Sequence, residues 1–315
     1  MSTTNTWTTA EIADQRGRVF VVTGANSGLG FETARTLART GATVVMACRS
    51  PERAATALDD LRNTVPDADV EVQQLDLASL ESVRTAAAAL RQRFGAIDAL
   101  INNAGVMYTE RELTRDGIEL QFGTNHLGHF ALTLELIDSL EAAPRARVVT
   151  IGSLGHRLPY AFDLDDLTAT GKYSRFGAYA RSKVANLLFS YELDRRLQAA
   201  GSTVISLAAH PGASDTEIAE HLPGMKWQRK YLHRLAQPAS LGCLPAVRAA
   251  TDPEAVGGQY YGPDRFLEAR GNPTLVRSSG RTHDRELAHR LWTISEELSG
   301  SRFPTADVQA PADLG

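Results

Sequence analysis

Tyr179 and Lys183 stand four residues apart in the stretch Tyr179-Ala180-Arg181-Ser182-Lys183. On a helix that spacing puts the phenol and the ammonium on one face. A free tyrosine gives up its proton near pH ~10. An adjacent Lys⁺ stabilises the phenolate and draws that value toward neutrality, where a tyrosine can act as general acid or base. Such a pair is also common on exposed helices with no chemical role. Two further residues lift this one. Ser153 follows the apolar run at 148–151, and Asn125 sits inside Gly123-Thr124-Asn125-His126-Leu127-Gly128. Asn125, Ser153, Tyr179 and Lys183 form a candidate catalytic set.

A second constellation lies near the amino end. Residues 19–23 are β-branched and aromatic, which suits a buried strand. Gly24, Gly28 and Gly30 follow, and then Phe31, Ala34, Leu37 and Ala38 fall at helical spacing. The pattern predicts strand, glycine turn and helix. Gly24 lets the chain turn sharply, Gly28 lets backbone approach a pyrophosphate, and Gly30 lets the helix pack close to the sheet. The helix start offers free N–H groups to phosphates.

The rest of the chain supplies elements to position these groups. Strands are expected at 42–47, 70–75, 97–101, 148–151, 204–208 and 258–261. Helices are expected at 51–63, 79–93, 118–140, 175–199, 238–250 and 285–298, with a loop over 155–174. Strands and helices alternate throughout, which implies α/β architecture. The expected fold is a Rossmann-type, doubly wound parallel sheet of about seven strands with helices on both faces. The expected organisation is an N-terminal arm at 1–16, a single domain at 17–300 and a disordered tail at 301–315.

In such a sheet a nucleotide lies across the carboxyl ends of the strands. Those ends here carry Gly24 to Gly30, Cys48-Arg49, Asp76-Leu77, Asn103-Ala104-Gly105, Gly152-Ser153 and Pro211-Gly212. Any one of them reads equally well as a strand-terminating loop; six together do not. Arg49 bears on which nucleotide. An NAD site places an acid about 20 residues after the glycine turn, on the ribose 2′-hydroxyl. Here the second strand ends in arginine, whose guanidinium suits a 2′-phosphate. NADP(H) is therefore expected over NAD, with Arg53, one turn into the next helix, placed to help.

The 315 residues carry a formal net charge of −4, which argues against nucleic-acid and anionic-membrane partners. Cys48 and Cys243 have no paired Cys or His nearby, so buried free thiols are expected, not a metal or disulfide. The polar, threonine-rich start has no apolar core for export, and no apolar run reaches spanning length. A cytoplasmic protein is expected; association into a homo-oligomer stays open.

The Thr-Gly-x-x-x-Gly-x-Gly pattern at 23–30, Asn102-Asn103-Ala104-Gly105, Asn125, Ser153, Tyr179-x-x-x-Lys183 and His210-Pro211-Gly212 occur in one order over residues 18–261. In these motifs the chain resembles the short-chain dehydrogenase/reductase family. It is most similar to the retinol dehydrogenase-like and protochlorophyllide reductase-like branch. Ala47-Cys48-Arg49-Ser50, the run Asn125-His126-Leu127-Gly128-His129-Phe130 and the long interval from Ser153 to Tyr179 carry that likeness. The resemblance implies that Tyr179 exchanges a proton with a carbonyl or alcohol oxygen and that Ser153 orients that oxygen. Lys183 would hold the nicotinamide ribose and lower the pKa of Tyr179. Asn125 would kink its helix and anchor a water relay to Lys183. The implied cofactor set is Gly24, Asn26, Ser27, Gly28, Leu29, Gly30, Arg49, Asp76, Leu77, Asn103, Ala104, Gly105, Tyr179, Lys183, Pro211, Gly212 and Thr216. Residue 152 is Gly where the branch often has a second serine, which leaves Ser153 alone.

Rival readings are weaker. A nucleophile elbow needs G-x-S-x-G, but position 151 is Ile. A non-catalytic NADP-binding regulator would lack Tyr179 or Lys183. An epimerase or dehydratase on this fold would have a longer C-terminal part and a different glycine spacing. His126 and His129, three apart on an apolar helix, suit packing better than a metal. Residues 213–237 mix apolar Ile218, Leu222, Met225, Trp227, Tyr231, Leu232 and Leu235 with Lys226, Arg229, Lys230 and Arg234. This reads as an amphipathic lid over a bulky, mainly apolar carbonyl or alcohol substrate, with Trp227 in contact with large substrates.

Overall fold

The computed structural model describes residues 7–213 and 237–304. Thr216, Trp227 and the rest of the expected lid from 214 to 236 lie outside the described residues. Eight strands form the sheet: β1 (Val19–Thr23), β2 (Thr43–Cys48), β3 (Val70–Gln74), β4 (Ala99–Asn102), β5 (Arg147–Ile151), β6 (Ile205–Ala209), β7 (Tyr260–Arg265) and β8 (Arg270–Leu275). The helices that bear on the argument are α1 (Gly28–Ala38), α2 (Pro51–Thr64), α3 (Leu80–Arg93), α4 (Leu120–Phe122), α5 (Gly128–Glu135), α6 (Ile137–Glu141), α7 (Arg175–Ala199), α8 (Ala239–Gly242), α9 (Leu244–Thr251) and α10 (Arg285–Ser299).

The strand order is β3-β2-β1-β4-β5-β6-β7-β8. Strands β1 to β7 pair in parallel, and β8 runs antiparallel to β7. The order reverses between β1 and β4, so the crevice for a ligand opens at their carboxyl ends. The expectation of about seven strands falls one short. The β8 stretch contains Gly271 and Pro273 and lacks apolar alternation, so it reads as loop; as an edge strand it tolerates both.

Alternate residues of each strand face opposite layers. Val21, Val45, Leu100 and Val148 pack with residues of α3, α5, α7 and α10, among them Leu90, Phe130, Leu188 and Trp292. Phe20, Val22, Val44 and Met46 pack with Ala34 and Leu37 of α1, Leu61 of α2 and Val247 of α9. Both faces being covered explains why the strands read as continuous apolar runs. Trp7, in the expected N-terminal arm, is buried in the second cluster, with the Arg248 guanidinium 5.8 Å from its ring centre. Of the expected tail, residues 301–304 pack on the core: Phe303 meets the Trp292 ring edge-on at 5.9 Å, and Ser301 Oγ donates to Glu135 Oε1 at 3.0 Å. The remainder lies outside the described residues.

The long helix expected at 118–140 is interrupted. A π turn spans Gly123–Leu127, where the Gly128 N–H bonds the Gly123 carbonyl, five residues back. Gly128 sits against β3's exit: a Cβ there would lie 2.4 Å from the Leu77 carbonyl oxygen. Close approach on that side and the anchoring of Asn125 hold the bulge, a feature often found at functional sites. The helix expected at 238–250 is likewise two short pieces, α8 and α9.

Candidate active site

A cavity of about 540 Å³ opens at the carboxyl ends of β1, β2, β3 and β4. Its floor is the turn between β1 and α1. Gly24 has φ +67° and Gly28 φ +55°, backbone that favours glycine. Gly30 permits the turn to close: a Cβ there would stand 2.3 Å from Gly24 O and 2.5 Å from Asn103 Nδ2. Thr23 fastens the turn to the neighbouring strand end. Its Oγ1 accepts from the N–H groups of Asn103 and Ala104, both at 2.9 Å, and Asn103 Nδ2 donates to Thr23 O at 2.8 Å.

Asn26, Ser27, Gly28, Leu29 and Gly30 line this cavity with Gly24, Arg49, Asp76, Leu77, Asn103, Ala104 and Gly105. The amino end of α1 therefore faces the space, with the positive end of its dipole. Exposed Arg49 and Arg53 also line it. The glycine-floored volume and the helix terminus fit a dinucleotide. The wall also includes Val106, Met107, Tyr108, Thr109 and Thr124, which reading the sequence missed. Their one signal is position, directly downstream of Asn103-Ala104-Gly105.

The candidate catalytic residues gather beyond the cavity, at the end of β5. Ser153 caps a 3-10 turn at Leu154–Arg157, its Oγ accepting from Gly155 N–H at 3.1 Å. α7 brings Tyr179 and Lys183 alongside. A Cβ at Gly155 would lie 3.1 Å from Tyr179 Cε1, so the tyrosine ring lies against the serine turn. The same point lies 3.4 Å from Ser153 Oγ, so the serine hydroxyl and the tyrosine ring meet over Gly155. Lys183 is buried, and its Nζ donates to Ile151 O at 2.9 Å; Asn186 Nδ2 donates to the same oxygen at 3.1 Å.

The electrostatics correct one expectation. Burial raises the Tyr179 pKa above its ordinary value, and the Ser153 hydrogen bond offsets part of that rise. The rise from burial outweighs the lowering expected from Lys183. Burial pushes the ammonium itself to about 8, and it is committed to Ile151 O, 5.8 Å from the centre of the tyrosine ring.

Asn125 lies within the π turn. Its Oδ1 accepts from Val106 N–H at 2.7 Å, and its Nδ2 donates to Val106 O and Ser182 Oγ, both at 2.9 Å. It thus ties the loop after β4 to α7, one residue before Lys183. His129 Nδ1–H donates to the Asn125 carbonyl at 2.9 Å, and its Nε2 lies 2.8 Å from Thr23 Oγ1. His126 Nε2 meets Ser295 Oγ at 2.9 Å. Both histidines are thus engaged in the core. Cys48 and Cys243 are free, buried thiols, pushed by burial to about 11 and about 12.

Pro211 and Gly212 lie at the end of β6, where a Cβ on Gly212 would meet Ala269 O at 2.4 Å. They pack against the turn between β7 and β8 and, like Tyr179 and Lys183, stand outside the lining of the large cavity. Among the described residues no helix is long and apolar enough to cross a membrane.

Residues 18–226 match the family described as short chain dehydrogenase. The chain is similar to retinol dehydrogenase 13 of Homo sapiens, 39% identical over 302 residues that cover 93% of this chain and 88% of that protein. It is 39% identical to polyprenol dehydrogenase of Mus musculus, over 91% of this chain and 85% of that one. Among solved structures, an uncharacterized protein from Mycobacterium Paratuberculosis superposes with a TM-score of 0.80 at 41% identity, covering 95% of this chain and all of that one.

Proposed function

The chain belongs to the short-chain dehydrogenase family, and on that footing we propose that it is an NADP(H)-dependent oxidoreductase interconverting a carbonyl and an alcohol on a mainly apolar small molecule. The observation that carries this reading is the meeting of Ser153 and Tyr179 at the end of β5, with Lys183 held beside them on the same helix face.

Tyr179 holds the proton that a carbonyl oxygen takes on becoming a hydroxyl, and recovers it in the reverse direction. A tyrosine kept protonated by burial suits the donor's part. Ser153 presents its hydroxyl to the same oxygen. Lys183 and Asn125 fix α7 against β5 and the loop after β4, so the proton stands at one place. NADPH, when bound, supplies the hydride. The cavity residues Gly24, Asn26 to Gly30, Asp76 and Asn103 to Gly105 would hold it, with Arg49 on the 2′-phosphate.

An apolar substrate is supported by two relatives named for alcohols, retinol and polyprenol, that are hydrocarbon over most of their length. A panel of carbonyls and alcohols, followed by absorbance of the reduced cofactor, tests the proposal. NADPH-dependent turnover of bulky apolar aldehydes or ketones is expected. No turnover across the panel, or better turnover of short sugars and hydroxy acids, would refute it.

A further inference from the structure

His156 lies three residues beyond Ser153, and its side chain is fully buried. Its Nδ1 stands 2.5 Å from the Ser153 backbone oxygen. A carbonyl only accepts, so Nδ1 carries the proton and Nε2 is a bare acceptor. That Nε2 has no hydrogen-bond partner among the described residues, and neither does the buried Tyr260 hydroxyl nearby, whereas His210 Nε2 lies 3.2 Å from Glu268 Oε2. The Tyr260 ring centre lies 5.8 Å from that of His156 and 5.1 Å from that of His210. The three side chains come from the turn after β5, the residue after β6 and the first residue of β7, three adjacent strands.

Buried polar atoms are normally paired. The His156 ring keeps an orientation that leaves Nε2 unpaired, and the bond to Ser153 O is what holds it there. The far side of the same turn is held from the C-terminal segment. Arg281 donates to His156 O from Nε at 3.2 Å and from Nη2 at 2.5 Å, and to Tyr160 O at 2.8 Å.

We propose that His156 is a positioning residue for Ser153. Its Nδ1–H fixes the Ser153 carbonyl and hence the direction in which Ser153 Oγ meets Tyr179, while Arg281 anchors the turn. The inference rests on the reading of Ser153 and Tyr179 as the pair that handles the substrate oxygen. It assigns to His156 a donor's part, distinct from that of a base or a metal ligand.

The test compares His156→Leu with His156→Asn. Asparagine carries an amide nitrogen where imidazole carries Nδ1 and can still donate; leucine fills the space without a donor. Misplacing a catalytic group costs roughly 10- to 100-fold in rate. A loss of that size in kcat is expected for the leucine variant, with NADPH affinity and KM nearly unchanged and most of the rate restored in the asparagine variant. Equal kcat for leucine and wild type, or an asparagine variant no better than leucine, would overturn the inference. If the leucine variant fails to fold, asparagine against wild type still decides, since a fall to a small fraction of the rate counts against it.

A second measurement is independent of turnover. In the wild-type protein the His156 Nδ1–H should appear in ¹⁵N-edited NMR as a slowly exchanging imidazole proton, identified by its loss in the asparagine variant. A His156 protonated on Nε2 instead overturns the inference whatever the substrate panel shows. The resonance in place beside a protein that turns nothing over would sink the functional reading and leave the His156–Ser153 bond standing.

Discussion

The ammonium of Lys183 donates to the carbonyl oxygen of Ile151, two residues before Ser153, at 2.9 Å. One bond therefore joins the helix carrying Tyr179 to the strand end carrying Ser153. Tyr179 and Lys183 lie on one regular helix, which holds a reacting geometry more tightly than a loop does, and Ser153 caps the turn two residues past β5.

If Tyr179 supplies the proton, Tyr179→Phe should lower turnover by about 10²- to 10⁴-fold, the usual worth of general acid–base catalysis. NADPH affinity, measured by fluorescence titration, should stay near wild type, because the tyrosine lies outside the lining of the cofactor cavity. Unchanged turnover in this variant would remove the residue from the mechanism.

Arg49 should set cofactor choice. It lines the cavity directly after β2, where no acid stands at the strand end to receive a ribose hydroxyl. Wild type should bind NADPH more tightly than NADH, and Arg49→Asp should erase or reverse the preference by repelling the 2′-phosphate. Equal affinities of wild type for the two cofactors would show that Arg49 does not discriminate.

Acid should destabilise the protein early. Burial pushes His126 to about 3, and His129 and His156 to about 4, whereas each takes a proton near ~6.5 when unfolded. Between those values the unfolded chain binds more protons than the folded one, so stability falls as pH falls. Above about 6.5 these histidines contribute no slope. The urea midpoint should drop from pH ~6.5 to ~5. His126→Phe should flatten that drop. Its ring would lie among Phe122, Phe130 and Phe189, and Ser295 Oγ keeps its bond to Leu291 O at 2.7 Å. A midpoint insensitive to pH over that interval would contradict the assignment.

Gly152 and Tyr260 should be coupled. A Cβ at Gly152 would lie 3.0 Å from the Tyr260 hydroxyl oxygen and 3.3 Å from Leu187 Cδ2. Gly152→Ala should therefore cost about 1–3 kcal/mol through overpacking. Tyr260→Phe removes a hydroxyl that has no partner among the described residues and should be nearly neutral. Together the two should recover roughly 1 kcal/mol relative to their sum. Strict additivity in denaturant titrations would mean that the hydroxyl does not occupy this space.

Contiguous residues determined the strand, glycine turn and helix at 19–38, the helical register that sets Tyr179 beside Lys183, and the alternation that makes a doubly wound sheet. Glycine backbone freedom and hydrophobic period act over a few residues, so they show in the sequence. The tertiary structure decided the π turn at Gly123–Leu127, the antiparallel edge strand β8, and the meeting of His156, His210 and Tyr260 behind Ser153. It also decided the charge balance of the site. The sequence puts a cation four residues from a phenol and so expects an acidified tyrosine; the fold buries Lys183 and half-buries Tyr179, and desolvation raises the Tyr179 pKa. Desolvation depends on everything packed around a group, and most of what surrounds Tyr179 and Lys183 comes from distant parts of the chain.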